Sequence, residues 1–275
     1  MTASPDARSE GDKRAANRTF WEARVPVHVA SEFYDVAGFL AGRNDLRRFE
    51  VDEMGPVDGL DLVHLQCHFG LDTLSWARLG ARVTGLDFSS GAIDAAREVA
   101  TQAGIEAEFV CADVYDAVEA LGGRTFDVVY TGLGALCWIP DLAGWAEVVD
   151  RLLVPGGVAY LAEFHPIHQM TADDDLTITH GYFWQAEGTR WDDDYTYTDG
   201  APLDRAYESW EWTHPVSAVV TVLLDRGLRL ELFHEHPFTL FPRWPFLEHR
   251  DGAWWMPEAM PSLPLLYSIK VRKPT

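Results

Sequence analysis

The sequence is short of basic residues. Twenty-two Lys and Arg stand against 43 Asp and Glu, a formal charge of −21. An acidic surface repels nucleic-acid phosphates and anionic lipid at long range, so neither is an expected partner. Cysteine is scarce as well. Cys67, Cys111 and Cys137 have no paired spacing, and each lies in or beside an apolar run. With no CxxC or HxxxH-type pair, no metal site is expected, and the cysteines read as free thiols of a reducing, cytoplasmic compartment. No apolar stretch is long enough to span a bilayer, and residues 1–18 lack the core of a signal peptide. There is no internal repeat and no low-complexity tract.

What is present is globular. Hydrophobic residues make up 47% of the 275 and charged residues 24%, enough to bury a large core. Residues 1–12 read as a disordered tail. Residues 13–56 carry a helical pattern, with Phe33, Val36, Ala37 and Leu40 at intervals of three and four; Pro26 divides it and Gly55-Pro56 ends it. An α/β alternation fills residues 57–165. Strands are expected at 60–66, 82–86, 107–111, 126–131 and 158–164. Helices are expected at 71–79, 89–103, 113–121 and 141–153, the last ended by Pro155-Gly156-Gly157. This rhythm predicts βαβ units and a doubly wound parallel sheet. Residues 166–215 break it. They are rich in Trp, Tyr, Asp and Thr, and read as an inserted cap with a short hairpin. Residues 216–275 return to the core as a helix at 216–225 and strands at 228–234 and 265–271. Those strands flank an aromatic, Pro-rich loop.

The chemistry sits at strand ends. The stretch Leu62–Gly70 (LVHLQCHFG) is a strand and tight loop, and Val83–Asp87 is a second strand ending in an acid. In doubly wound folds the ligand lies at the carboxyl ends of the strands. A glycine such as Gly70 lets the backbone approach it. Asp87 is placed to accept hydrogen bonds from two ribose hydroxyls. Asp113, after the third strand, is placed to accept from an exocyclic adenine amine, or simply to cap the next helix.

Residues 61–165 resemble the core of class I S-adenosylmethionine-dependent methyltransferases. The stretch VHLQCHFGLDTLSWARLGARVTGLDFS further resembles a bacterial, actinobacterial-type group with HLQCHFG as its first loop. The resemblance extends to NRTFWEARVPVHVASEFY near the front and to LLDRGLRLELFHEHPF and LLYSIKVRK near the end. It implies a seven-stranded Rossmann-like sheet whose last strand is antiparallel and inserted beside the fifth. It implies S-adenosylmethionine as cofactor and a small-molecule acceptor methylated at N, O or C. Position by position, Gln66, Cys67, His68 and Gly70 match the loop around the methionine part. Asp87 matches the ribose-binding acid, Phe88 the residue beside adenine, Asp113 and Val114 the adenine pair, and Thr131 and Gly132 the turn beneath the sulfonium. The resemblance also implies that Trp21 and Tyr34 lie in helices that fold over the cofactor, plain aromatic packing being the alternative. One departure stands out: His64 replaces the usual acid, and Gln66 and His68 replace two glycines.

His165, just past the fifth strand, is the candidate proton acceptor. The late tryptophans, Trp184 to Trp255, offer an aromatic wall for a flat or cationic substrate. Two rivals remain. A nicotinamide oxidoreductase would want GxGxxG, which QCHFGL lacks. A catalytically silent binding protein would fit the unusual first loop.

Overall fold

The computed structural model describes residues 8–275, so most of the expected tail lies outside the described residues. Its last part is helical. Ser9 caps α1 (Glu10–Ala30), with its side chain and that of Asp12 forming a reciprocal capping box. Helix α1 runs unbroken through Pro26, against the expected division. Proline costs a helix interior about 3 kcal/mol. Here its ring lies on the exposed face, while Phe20, Arg24, Val25 and His28 pack inward on either side of it. Burial of that stripe outweighs the lost bond. Short helices α2 (Val36–Leu40) and α3 (Arg48–Met54) follow.

The alternation is as expected: β1 (Asp61–Leu65), α4 (Leu71–Arg78), β2 (Arg82–Asp87), α5 (Ser90–Ala103) and β3 (Glu108–Cys111). The helix expected at 113–121 is shorter. A 3-10 turn at Val114–Asp116 precedes α6 (Ala117–Ala120), because the Asp113 side chain ties down the Tyr115 N–H and Gly122-Gly123 stop the chain. Then come β4 (Phe126–Thr131), α7 (Leu142–Leu152) and β5 (Leu153–Phe164). Pro155-Gly156-Gly157 falls inside β5, where Gly156 and Gly157 bond the backbone of Lys273 instead of forming a turn.

The inserted segment holds α8 (Ile167–Met170) and the expected hairpin, β6 (Thr189–Asp193) antiparallel to β7 (Tyr207–Glu211). Helix α9 (Val216–Asp225) and β8 (Arg229–His236) lead into the aromatic loop. That loop proves to hold a small sheet of β9 (Phe238–Thr239), β10 (Glu248–Arg250) and β11 (Ala253–Trp255) before β12 (Leu266–Arg272) closes the fold.

The main sheet has seven strands in the order β3-β2-β1-β4-β5-β12-β8, with β1 to β5 parallel and β12 antiparallel to both its neighbours. Strand order reverses between β1 and β4, the place at which doubly wound folds bind their ligands. The core lies on both faces. Val129, Trp145, Val149 and Leu223 fill one side, and Trp76, Tyr130 and Tyr160 the other. Two-sided burial explains the unbroken apolar strands read from the sequence. Among the described residues no helix is long and apolar enough to cross a membrane.

Candidate active site

The loop after β1 is the pivot. Gln66 and His68 stand where the resemblance implies glycines, yet both keep left-handed φ angles of 58° and 50°. The loop path demands that conformation, and each L-residue there costs about 1–2 kcal/mol. Side-chain contacts offset it. Gln66 Nε2 donates to the Ala135 carbonyl at 2.9 Å, across to the loop after β4. His68 Nε2 lies 3.0 Å from Nδ1 of His28 on α1. Burial holds both imidazoles neutral, pushing His28 down to about 2 and His68 to about 3. Gly70 has φ 80°, and a Cβ there would lie 2.7 Å from the Phe109 ring. Cys67 is buried, and burial pushes its thiol well up, which suits packing and not nucleophilic work.

Asp87 ends β2 beside this loop. Its two carboxylate oxygens accept the His68 N–H at 2.8 Å and the Ser89 N–H at 2.9 Å. Desolvation outweighs those bonds and pushes its carboxyl up to about 6. Spare lone pairs remain for further donors. Asp113 follows β3, whose Cys111 pairs in register with Asp87, so the two acids stand at neighbouring strand ends. Both Asp113 oxygens are engaged: Oδ1 takes the Tyr115 N–H at 3.1 Å and Oδ2 takes Arg14 of α1 at 2.9 Å.

Helix α1 lies over these strand ends. Arg18 sits 5.9 Å from the Phe88 ring centroid. Glu22 accepts the Ser90 and Gly91 N–H groups at 2.7 and 3.0 Å, a favourable place for an anion at the start of α5. Trp21 meets His68 and Trp138 edge-on at 5.2 and 5.3 Å. Tyr34 packs on Phe69 at 4.8 Å and bonds the Tyr197 hydroxyl at 2.5 Å.

Other expected residues fall differently. Val114 is buried in the apolar core. Thr131 is buried and lines a small void with Trp145, Val149 and Leu223, so its hydroxyl faces α7. Gly132 is tight: a Cβ would lie 3.3 Å from His64 Nε2 and 3.5 Å from an Asp72 oxygen. His64 is buried and bonds Thr73 at 2.8 Å. His165 departs from its expected use. Its Nδ1 accepts the Ile167 N–H at 3.3 Å and its Nε2 lies 3.3 Å from Glu235 of β8. Both nitrogens are thus engaged, and the ring is turned toward the β8 edge. Of the late tryptophans, Trp212 and Trp244 are fully buried as packing, while Trp184 and Trp191 are partly exposed.

The structure adds residues that local reading passed over. Glu163, near the end of β5, accepts four backbone N–H groups, from Gly134, Ala135, Leu136 and Phe164, at 2.7–2.9 Å. It thereby fixes the loop after β4, and desolvation pushes it up to about 7. Arg24 and His28 are buried on α1. Both share a helical stripe with Phe20, but spacing alone does not tell an enclosed arginine from one at the edge of that stripe.

Comparison with known proteins agrees with this geometry. A family model described as methyltransferase domain matches residues 63–157. The ubiquinone biosynthesis O-methyltransferase of Methylobacterium sp. (strain 4-46) is 28% identical over 246 residues, covering 85% of this chain and 96% of that one. The protein of the same name from Caulobacter sp. (strain K31) is 30% identical over 175 residues, 62% of this chain and 68% of its own. A solved S-adenosylmethionine-dependent methyltransferase from Clostridium acetobutylicum ATCC 824 superposes with a TM-score of 0.56 at 14% identity, covering 95% of this chain and all of that one. With the strand order, the left-handed loop and the acid at the end of β2 together, the chain belongs to the S-adenosylmethionine-dependent methyltransferases.

Proposed function

We propose that the chain moves a methyl group onto an oxygen of a small molecule held between α1, the 166–215 segment and the loop after β4. The observation that carries this reading is Asp87: a nearly buried carboxylate with spare lone pairs, beside a loop forced into left-handed turns. Asp87 would hold the ribose hydroxyls. Gln66, Cys67, His68 and Gly70 would wrap the methionine part, where the buried Gln66 Oε1 has no partner. Phe88, Asp113 and the backbone of Val114 would flank adenine, with Trp21 and Tyr34 above and the backbone of Thr131 and Gly132 below. Residues 13–56 then act as cover, 57–165 with 216–275 as the cofactor-binding core, and 166–215 as lid.

When bound, the cofactor supplies a methyl group on a positively charged sulfur, already activated for displacement. What remains for the protein is to hold acceptor and methyl in line and to exclude water. The oxygen is favoured by the O-methyltransferase names of the relatives. Free Cys67, Cys111 and Cys137 suit the cytoplasm. The test supplies methyl-labelled S-adenosylmethionine with a panel of hydroxylated small molecules and their amino counterparts. Label in the hydroxylated set supports the reading. Label in the amino set alone overturns the choice of oxygen. Tight S-adenosylhomocysteine binding with no transfer to either set favours a silent binding protein.

A further inference from the structure

The inward stripe of α1 carries four polar side chains, and two of them bond the inserted segment. Lys13 Nζ donates to the Glu187 carbonyl at 2.7 Å and lies over the Trp210 ring. Asn17 exchanges two bonds with the backbone of Trp210, at 2.8 and 2.7 Å. Through them α1 is docked on β7. Two and three turns further on, Arg24 and His28 are buried to 7% and 0% exposure, and each keeps one ring or guanidinium nitrogen without a partner.

Arg24 has one long hydrogen bond, Nη2 to the Tyr195 carbonyl at 3.4 Å, and its buried Nε has no partner. Among the described residues no carboxylate forms an ion pair with it within 4.0 Å. Glu211 and Asp193 are near enough to be felt. Burial pushes both of those carboxyls up, and neither comes within 4.0 Å of the guanidinium. The face of the guanidinium is used, since it stacks 3.7 Å from the Phe20 ring centroid. Stacking occupies the face and leaves Nε unpartnered and Nη2 with only that long bond. A buried charge without a partner is costly enough that folds rarely keep one unless a ligand completes it.

The surroundings say which ligand. Arg24 lies beside Trp21, whose ring touches both His68 of the first loop and Trp138 of the loop after β4, and beside Tyr197 of the inserted segment. The inserted segment reaches this guanidinium directly, the first loop and the loop after β4 meet the adjoining Trp21, and aromatic rings supply flat walls. His28, one turn on, presents an unpartnered Nε2 among the same rings. A planar N–H fork matches a carboxylate in two parallel bonds.

We propose that Arg24 is the specificity-determining residue for the methyl acceptor, and that the acceptor is a flat small molecule bearing a carboxylate held by the N–H edge of this guanidinium. The inference rests on the functional reading above.

The test uses the full chain saturated with S-adenosylhomocysteine. Benzoate, cinnamate and 2-naphthoate are titrated beside their primary amides, in the wild type and in Arg24→Gln and Arg24→Lys. At least one acid is expected to bind the wild type about tenfold more tightly than its amide. Arg24→Gln should erase that preference while S-adenosylhomocysteine affinity stays within about twofold, and Arg24→Lys should retain part of it. No acid-over-amide preference in the wild type overturns the proposal, as does a preference that survives Arg24→Gln. A fall of about tenfold in S-adenosylhomocysteine affinity with the acid preference intact also overturns it, and assigns Arg24 to the carboxylate of the cofactor. Should Arg24→Gln fail to fold by circular dichroism, the acid-to-amide ratio in Arg24→Lys decides: a ratio unchanged from the wild type overturns. Failure of the wild type to bind S-adenosylhomocysteine at all is a separate result, and removes the functional reading instead.

Discussion

Asp87→Asn probes the cofactor assignment through pH. The Asp87 carboxyl is 6% exposed and is pushed up to about 6, chiefly because desolvation disfavours its charge. Two ribose hydroxyls donating to it would favour the charged form. Cofactor binding would then require the Asp87 carboxylate, so a protonated Asp87 must first release its proton. With a value of about 6, roughly one apo molecule in ten is ionised at pH 5. Apparent S-adenosylhomocysteine affinity should therefore weaken about tenfold, or ~1.4 kcal/mol, between pH 7.5 and pH 5. Asn is neutral throughout and keeps a single acceptor oxygen. In the variant this pH dependence should vanish, and affinity at pH 7.5 should fall by about 1.5–3 kcal/mol, the worth of one hydrogen bond to a charged group. Isothermal calorimetry at four pH values, in buffers of different ionisation enthalpy, measures both the affinity and the proton released. Stability of the apo protein moves the opposite way. A carboxyl raised from 3.8 to about 6 holds its proton more tightly in the native state, so its contribution is greatest below about pH 4 and declines as pH rises through 6. A flat affinity in the wild type, or the same slope in Asp87→Asn, would refute the reasoning.

Three further outcomes are expected. Gly70→Ala forces a Cβ to within 2.7 Å of Phe109 at a left-handed φ; thermal or urea unfolding should show a loss of about 3 kcal/mol. Glu163→Gln removes one of the two oxygens that serve four N–H groups, leaving two of those donors unpaired. A loss of about 2–6 kcal/mol in urea unfolding is expected at pH 7. The wild-type decline in stability as pH rises from 4.5 to about 7 should flatten in that variant. Arg14→Ala breaks a partly exposed ion pair with Asp113, so stability should change by less than about 1 kcal/mol. With Asp113 Oδ2 freed for the adenine amine, S-adenosylhomocysteine affinity should rise; a clear fall would mean that Arg14 itself helps to hold the cofactor.

Local spacing was enough to order the strands, to end β2 at Asp87, to place α9 at Val216–Asp225 and to put a hairpin in the inserted segment. These follow from short-range rules: alternation of apolar runs with amphipathic helices, caps, and glycine stops. The resemblance supplied the antiparallel β12 beside β5. Tertiary structure alone decided the rest, because each remaining feature depends on a partner far away in sequence. Helix α1 survives Pro26 because its inward stripe docks on β7, nearly two hundred residues on. Gln66 and His68 tolerate left-handed angles because Ala135 and His28 hold their side chains. His165 has the sequence address of a catalytic histidine, yet packing turns it toward Glu235. Arg24 reads in one dimension as surface charge on a helix. Only folding shows that it is enclosed, stacked on Phe20 and left with an unpaired Nε.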